Sequence, residues 1–339
     1  MAFKTVLVSG ANGFIGYAVC RAFALAGWTT YGLLRSDKSV ADLIREEITP
    51  ILGSAANPSF ISSLPAIDVI VSCSEDIHNY EPHFQDVLSM IKQISQASRA
   101  QGGTKPLVIF SSGCKDYGTT LRDGEPGLAP HTEDSPLNPP ALLARRAECA
   151  LSMLSYTEDF DAVVTRPTTL FGRSGSYYSF FFLLAEQAKT KTDGVLTLNS
   201  TPDAILHGTH VDDVAAAYVA LASAPRDVVT GQVYNISSRR YETLGEIVPV
   251  VENSHKIKVV LSGPRLEDKG SDSMNIIVNF PQWVGSEKLR RHTGWTDRKP
   301  LFHQAYDVYR RAYEKAAEDQ NEQFQRVAGR VDGFFNPSK

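Results

Sequence analysis

The sequence predicts an α/β protein built on a doubly wound parallel sheet, with a smaller, mainly C-terminal region beside it. Two observations carry this prediction. Short buried strands alternate with helical segments through the first half of the 339 residues, an order that is typical of βαβ units whose sheet is covered on both faces. In addition, a glycine-rich turn at residues 9–16 joins the first strand to the first helix.

At least six strands are expected before residue 170. The clearest apolar runs lie at residues 4–8, 29–34, 67–71, 106–110 and 162–165. Between two of these runs, five apolar side chains recur at the spacing of one helical face: Phe84, Val87, Leu88, Ile91 and Ile94. After residue 172 the pattern becomes less regular, which indicates a second region of different architecture.

Composition excludes several classes of protein. Lys and Arg total 34 against 38 Asp and Glu, a net charge of −4, which argues against nucleic acid as a partner. The most apolar run, at residues 174–185, is too short to cross a bilayer. The four cysteines are widely separated, so neither a metal site nor a disulfide framework is expected. A cytoplasmic protein with a small-molecule substrate is predicted.

The strongest motif is the turn at residues 9–16, Ser-Gly-Ala-Asn-Gly-Phe-Ile-Gly. Its glycines allow the backbone to approach a pyrophosphate and the helix to pack closely on the sheet. The N-terminus of the helix then directs unpaired N–H groups and a positive dipole end at the phosphates. The residues expected to bind a dinucleotide here are Gly10, Asn12, Gly13, Phe14, Ile15 and Gly16.

This turn and the segments after it resemble the extended branch of the short-chain dehydrogenase/reductase family, in its epimerase/dehydratase-like form. Matching motifs follow in order at residues 110–118, 166–172, 210–215 and 234–236. The resemblance covers about residues 3–320 and implies a Rossmann-type sheet and a pyridine dinucleotide cofactor. It further implies a set of cofactor contacts at strand ends: Ser54, Ser72, Cys73, Ser111, Pro167, Thr168 and Thr169.

The resemblance also implies a division of the chain. Residues 1–170 would form the Rossmann domain, with residues 205–236 returning to it. Residues 171–204 and 237–339 would form the substrate-binding region.

Within that second region, Tyr177 and Tyr178 fall where this branch lines its substrate pocket. Aromatic residues there, and the lack of a basic cluster, favour a largely apolar substrate over a nucleotide sugar. Dimerisation through two helices is common in the superfamily, and residues 80–101 and 138–159 would be that pair in a homodimer.

The end of the second strand predicts which form of the cofactor is used. In this fold an acidic residue there binds the ribose 2′-OH of NAD, whereas an Arg accommodates the 2′-phosphate of NADP. This chain has Leu34 followed by Arg35 and Ser36. Because a guanidinium pairs well with phosphate, NADP(H) is favoured over NAD(H), although Arg35 as a solvated loop cation remains the alternative.

The family's proton-transferring pair is missing. Relatives use a Tyr and a Lys four residues later, together with a Ser or Thr after the fifth strand. Here no Tyr-x-x-x-Lys occurs, and the three positions hold Pro140, Ala144 and Gly113. A positioned general acid contributes about 10²–10⁴ in rate, so a substitute is expected in the loop after the fifth strand. The candidates are Ser112, Lys115 and Tyr117.

Three functions remain open at this point. The first is an NADP(H)-using reductase or epimerase-type oxidoreductase with a non-standard proton donor. The second is a redox-neutral isomerase, cyclase or lyase on the same scaffold, and the third is a non-catalytic nucleotide sensor or scaffold protein. The aromatic stretch favours an enzyme. Arg145 and Arg146 could reach the mouth of the pocket, but solvent is the expected environment of both.

Overall fold

The structure is a computed structural model that describes residues 4–264, 275–320 and 324–325. Its strands are β1 Thr5–Ser9, β2 Thr29–Leu34, β3 Thr49–Leu52, β4 Val69–Ser72, β5 Leu107–Ser111, β6 Asp161–Pro167, β7 Thr169–Phe171, β8 Val195–Leu198, β9 Ile205–Leu206, β10 Gly208–His210, β11 Gln232–Ile236, β12 Glu242–Thr243 and β13 Lys258–Leu261.

Helices alternate with these strands. They are α1 Phe14–Leu25, α2 Val40–Arg45, α3 Tyr80–Ala100, α4 Ala144–Ser152, α5 Ser179–Lys191, α6 Val211–Ser223, α7 Arg226–Val229, α8 Leu244–His255, α9 Asn275–Val278, α10 Glu287–Thr293 and α11 Tyr306–Glu318. A 3-10 turn at Cys114–Tyr117 follows β5.

A seven-stranded parallel sheet in the order β11-β6-β5-β4-β1-β2-β3 forms the centre of the fold. This confirms the predicted doubly wound α/β class. The chain runs outward from β1 to β3 and then crosses back to β4 on the other side of β1. The order reverses between β1 and β4, and open α/β sheets bind ligands in a crevice at the carboxyl ends of the strands at such a place.

The strands are apolar throughout because both faces of the sheet are covered. Successive side chains point to opposite faces, so Val6 and Val8 pack with α1 and α6 in one core. Leu7, between them, packs with α3 and α4 in a second core on the opposite face. This double burial explains why the strands read as continuous apolar runs rather than as alternating ones.

The second region is built around an aromatic cluster contributed by α5 and α11, with Phe171 and Phe302 among its buried members. A parallel pair, β8 and β13, and helix α8 cover it. Helix α6 and strand β11, from the segment expected to return to the first domain, pack on α1 and beside β6. Of the predicted region 237–339, residues 265–274, 321–323 and 326–339 lie outside the described residues.

One predicted helix differs from the structure. The segment at residues 138–159 was expected to be helical throughout, but α4 begins at Ala144, after a 3-10 turn at Ala141–Leu143. Pro139 and Pro140 explain the late start, because the residue before a proline is driven out of the helical region. Within the described part of the chain, no helix has the length and apolar character that a membrane span requires. The homodimer stays a prediction.

Candidate cofactor and catalytic site

The glycine-rich turn closes tightly at the carboxyl end of β1. Gly10 has a φ of +70°, in the left-handed region that favours glycine. The Gly13 N–H donates to the Gly10 carbonyl oxygen at 2.8 Å. A Cβ on Gly16 would lie only 2.2 Å from that same oxygen, so this position accepts glycine alone. The turn therefore brings α1 directly against the edge of the sheet.

The N-terminus of α1 has the properties of an anion site. Its N-cap residue is Gly13, no side chain caps it, and its first turn carries no acidic residue. The first N–H groups of a helix have no partner within the helix, and the helix dipole adds positive potential there. These features fit the diphosphate of a dinucleotide, which would supply the missing acceptors and the negative charge.

Predicted cofactor residues also lie at the carboxyl ends of β4, β5 and β6. Ser72 ends β4 and is buried, and the next residue, Cys73, has its Sγ 3.7 Å from Ser111 Oγ at the end of β5. The Ser111 hydroxyl also contacts the phenol of Tyr218, and burial raises the pKa of Cys73 to about 12. The side chains of Ser72, Cys73 and Ser111 are therefore uncharged at neutral pH.

Pro167 ends β6 and Thr169 begins β7, so Thr168 alone joins the two strands. Thr168 is buried and its hydroxyl lies 2.7 Å from that of Thr209. Thr169 is half-buried, which leaves it the more accessible of the two threonines.

The end of β2 does not form a charged cleft. Leu34 is buried in the core, whereas Arg35 is exposed and Ser36 is half-buried. Ser54, after β3, accepts a hydrogen bond from the Asn57 N–H at 3.2 Å.

Two of the three catalytic candidates are engaged by buried partners. The Ser112 hydroxyl donates to Asp116 Oδ2 at 2.5 Å. The Tyr117 hydroxyl donates to Asn235 Oδ1 at 2.8 Å and accepts from Arg166 Nη1 at 2.9 Å. Burial raises the pKa of Tyr117 well above its ordinary value. Neither hydroxyl is positioned as a free proton donor.

Lys115 is the third candidate, and its surroundings differ. Its side chain is half-buried, and its ammonium lies 3.9 Å from the centre of the Phe280 ring. Burial lowers the pKa of Lys115 to about 7, and the positive charge of Arg146 is the second cause of this shift. A lysine with a pKa near 7 is partly deprotonated at neutral pH and can act as an acid or a base there, whereas an ordinary lysine stays protonated.

Arg146 is a functional candidate that the sequence analysis missed. Its side chain is 12% exposed, and its Nη2 and Nε donate to Asp116 Oδ1 at 2.6 and 3.2 Å. A Cβ on Gly113 would lie 3.2 Å from the Nη2 atom. The expectation of a solvent-exposed side chain is wrong for Arg146 and right for Arg145, which is half-exposed and pairs with Glu81 at 2.6 Å.

The signal that could have identified Arg146 is a change in side-chain size at neighbouring positions. The resemblance aligns Gly113 and Ala144 with a hydroxyl-bearing residue and a lysine of the family, and both of these side chains are smaller than the ones that it implies. A long side chain two residues after Ala144 can then reach the space that they leave. Such a compensating exchange is readable from the sequence only when the positions are known to face one another.

The two predicted substrate residues separate in the structure. Tyr177 is 37% exposed. Tyr178 is 1% exposed and packs edge-to-face on Phe302, with ring centres 4.8 Å apart. Tyr178 therefore belongs to the aromatic core, which corrects its expected place on a pocket wall.

Solved structures of similar fold bind NAD. A dTDP-glucose 4,6-dehydratase from Bacillus anthracis str. Ames in complex with NAD is 17% identical, with a TM-score of 0.69 over 95% of this chain and 98% of that one. A UDP-glucose-4-epimerase from Stenotrophomonas maltophila with bound NAD is 19% identical, with a TM-score of 0.68 over 92% and 99%. At this identity the likeness establishes the fold.

These structures overturn the preference for NADP(H). The two structures above and others of the same fold carry NAD, and the side chain of Arg35 is exposed. An arginine next to the second strand is a weak signal, because a loop cation in solvent gives the same residue at the same place. The prediction of NADP(H) was therefore wrong.

A curated relative extends the comparison to sequence. The spore coat polysaccharide biosynthesis protein SpsK of Bacillus subtilis (strain 168) is 22% identical over 266 residues, 78% of this chain and 84% of its own length. The model of the NAD dependent epimerase/dehydratase family matches residues 6–237, a span that contains the glycine turn, the sheet and the Lys115 loop. The chain belongs to the NAD dependent epimerase/dehydratase family.

Proposed function

We propose that the protein is an NAD(H)-binding enzyme that converts a small organic substrate at the carboxyl edge of the sheet, with Lys115 as the proton-transferring group. The observation that carries this proposal is the uncapped N-terminus of α1 behind a turn that accepts only glycine at residue 16. It lies beside the crevice where the strand order reverses, and the predicted catalytic loop follows the neighbouring strand β5.

The residues present fit the cofactor. The turn at residues 10–16 would hold the diphosphate, and the carboxyl ends of β4, β5 and β6 would line the rest of the nucleotide. NAD, when bound, supplies the site with hydride acceptor or donor chemistry. The uncharged surroundings of Ser72, Cys73 and Ser111 suit a neutral part of the cofactor better than a second anionic group.

Lys115 is the strongest proton-transferring candidate for two reasons. It lies in the loop that packs against the segment carrying Pro140, since the Asn138 N–H donates to the Asp116 carbonyl at 3.0 Å. Its pKa of about 7 is close to the working pH that general acid–base catalysis requires. The Phe280 ring beside its ammonium is an apolar neighbour, which supports a largely apolar substrate body.

The cofactor part of the proposal is tested with a pair of matched glycine variants. Gly13→Ala adds a Cβ 3.1 Å from the Gly10 carbonyl oxygen at the anion site. Gly245→Ala, in the first turn of α8, adds a Cβ 3.1 Å from the Pro202 carbonyl oxygen, away from that site. Calorimetric titration with NAD⁺ should show at least about tenfold weaker binding for Gly13→Ala, corresponding to about 1.4 kcal/mol. Gly245→Ala should bind as the wild type does.

The same pair of variants gives the result that would contradict the cofactor proposal. If the two variants bind NAD⁺ equally well, the turn does not hold the diphosphate. Because both substitutions impose the same small displacement of a carbonyl group, a general loss of stability would affect both variants alike.

A further inference from the structure

A chain of hydroxyl groups joins helix α6 to strands β5 and β6. Tyr218, in the middle of α6, is fully buried, and its ring lies in the core that contains α1 and α6. Its hydroxyl accepts a hydrogen bond from Thr165 Oγ1 at 2.9 Å and contacts the hydroxyl of Ser111, the last residue of β5. Three different elements therefore bring three hydroxyl groups together near the carboxyl edge of the sheet.

The direction of these hydrogen bonds follows from the acceptors that each hydroxyl can reach. Thr165 Oγ1 lies 2.9 Å from the Tyr218 hydroxyl but 3.3 Å from the Phe110 carbonyl oxygen, so the phenol is the nearer acceptor. Tyr218 then has Ser111 Oγ as the acceptor for its own proton. Burial raises the pKa of Tyr218 well above its ordinary value, so the phenol keeps its proton and remains a donor at neutral pH.

Ser111 is left with a proton that the chain does not use. Its Oγ accepts from Tyr218, and the other side chain that contacts it in the described part of the protein is Cys73, whose Sγ lies 3.7 Å away. Thiol sulfur is a weak acceptor, so an oxygen atom of a ligand would replace it favourably. A hydroxyl that accepts one hydrogen bond also donates a stronger one. The half-buried Ser111 is thus positioned as a donor to a bound molecule.

The position of Ser111 indicates which part of the cofactor it would meet. Strand β5 is two strands away from β1, whose glycine turn would hold the diphosphate, so the two strand ends lie about 10 Å apart. Cys73 lies on the strand end between them: its carbonyl oxygen would be 2.9 Å from a Cβ on Gly10. Lys115, the proposed proton-transferring residue, follows in the turn after β5. The end of β5 is therefore where the nicotinamide ring would lie.

We propose that Tyr218 is a positioning residue for the cofactor, which holds the Ser111 hydroxyl as a donor to the carboxamide carbonyl oxygen of the nicotinamide. The inference rests on the proposed function for the binding of NAD(H) at this edge of the sheet. The carboxamide is neutral and its carbonyl oxygen is an acceptor, so it matches a neutral donor among uncharged side chains. Tyr218 acts through Ser111 and does not touch the cofactor, because its own side chain is fully buried.

The test compares NAD⁺ with ADP-ribose, which keeps the diphosphate and both riboses but lacks the nicotinamide ring. Calorimetric titration of Tyr218→Phe should show about three- to tenfold weaker binding of NAD⁺, the usual effect of one neutral hydrogen bond. Binding of ADP-ribose should be unchanged, and Ser111→Ala should show the same contrast. Equal weakening of both ligands in Tyr218→Phe, or no weakening of NAD⁺, overturns the inference.

A double variant distinguishes a positioning role from a structural one. Because Tyr218 acts through Ser111, adding Tyr218→Phe to Ser111→Ala should change the affinity for NAD⁺ by less than about twofold. Losses that multiply would show that the phenol acts independently of Ser111, which overturns the inference.

The matched control is Tyr234→Phe. It removes a hydroxyl that lies 2.7 Å from His292 Nδ1 and belongs to a fully buried ring of the same core. This variant should bind NAD⁺ and ADP-ribose as the wild type does. A loss of NAD⁺ affinity as large as that of Tyr218→Phe would make the effect a general one of the core and would contradict the positioning role.

Two further arms test the chain and its direction. Where Tyr218→Phe does not fold, Thr165→Val removes the donor at the other end of the chain, and it should likewise weaken NAD⁺ and spare ADP-ribose; unchanged binding of NAD⁺ then overturns the inference. The analogue 3-acetylpyridine adenine dinucleotide has a methyl group in place of the amide nitrogen and should lose as much affinity in Tyr218→Phe as NAD⁺ does. A loss seen with NAD⁺ alone would make the amide N–H the partner and overturn Ser111 as the donor.

The wild-type titrations keep the two proposals distinct. Binding of NAD⁺ by the wild type, with no selective loss in the variants, overturns the role of Tyr218 alone. Folded wild-type protein that binds neither NAD⁺ nor ADP-ribose overturns the proposed cofactor and the role of Tyr218 together.

Discussion

Asp116 ties the loop that carries Lys115 to Arg146 and Arg166, and replacing it provides a quantitative test of the structure. The substitution Asp116→Asn keeps the shape of the side chain but removes its charge and one acceptor oxygen. In the wild type the carboxylate accepts from Ser112 at 2.5 Å and from Arg146 at 2.6 Å, and it lies 3.5 Å from Arg166. The variant removes the buried counter-charge of Arg166 and leaves Arg146 only its longer pairing with the partly exposed Glu75, at 3.6 Å.

The expected cost follows from burial. Removing one partner of a buried ion pair costs about 3–5 kcal/mol because the remaining charge stays desolvated. The same substitution at Asp42, whose pairing with Arg45 is as short at 2.6 Å but whose side chain is 45% exposed, should cost less than about 1 kcal/mol. The two aspartates therefore differ in solvent exposure rather than in the length of the ion pair.

Urea unfolding followed by circular dichroism measures both free energies. The reasoning predicts a loss of about 3–5 kcal/mol for Asp116→Asn, with an unchanged slope against denaturant. A loss below about 1 kcal/mol, or equal losses for the two variants, would show that Asp116 does not neutralise a buried cationic group.

Two further predictions concern protons. Lys115→Met should lower kcat for any NADH-dependent carbonyl reduction by about 10²–10⁴, whereas the exposed Lys38→Met, the control, should leave kcat unchanged. In the wild type, kcat for reduction should fall as pH rises through about 7, because Lys115 then loses the proton that it donates. An unchanged rate in Lys115→Met would refute the assignment. Burial lowers the pKa of His207 to about 4, so the unfolded chain takes up this proton first as pH falls below about 6.5, and about 3 kcal/mol of stability is lost between pH 7 and pH 4. Urea unfolding of His207→Gln should show a smaller acid loss than the exposed His78→Gln, and identical losses would contradict the burial of a neutral imidazole.

The sheet and the tight glycine turn could be predicted because their signals are local. A parallel sheet covered on both faces requires continuous apolar strands, and β1, β2 and β5 show them directly. The turn at residues 9–16 needs glycine for reasons of backbone geometry, as the close approach of Gly16 to Gly10 shows. Both features are set within a few residues of sequence, so no tertiary contact is needed to infer them.

The environment of the Lys115 loop was predicted only in part, because it depends on contacts between distant segments. Lys115 was a candidate from its position, but its lowered pKa comes from burial and from Arg146, which lies thirty-one residues further along the chain. Arg146 itself looked like half of a solvated basic pair. Only the facing positions of Gly113 and Asp116 distinguish it from Arg145.

The aromatic residues were predicted to line a pocket, but one of the two lies in the core. Tyr177 and Tyr178 are adjacent in a stretch that suits either a pocket wall or a core, and composition does not separate the two. The structure places Tyr178 against Phe171 and Phe302, since α5 begins there and turns that side of the chain inward. Which of two neighbouring side chains faces a core is decided by the exact start of a helix, the feature that sequence patterns define least well.

The central claim is that the N-terminus of α1 holds the diphosphate of NAD beside the Lys115 loop. Calorimetric titration of the wild-type protein with NAD⁺ tests it most directly. Saturable binding of one NAD⁺ per chain, weakened when residue 13 is alanine, is the predicted result. The absence of any heat of binding up to millimolar NAD⁺, from protein shown to be folded, would contradict it.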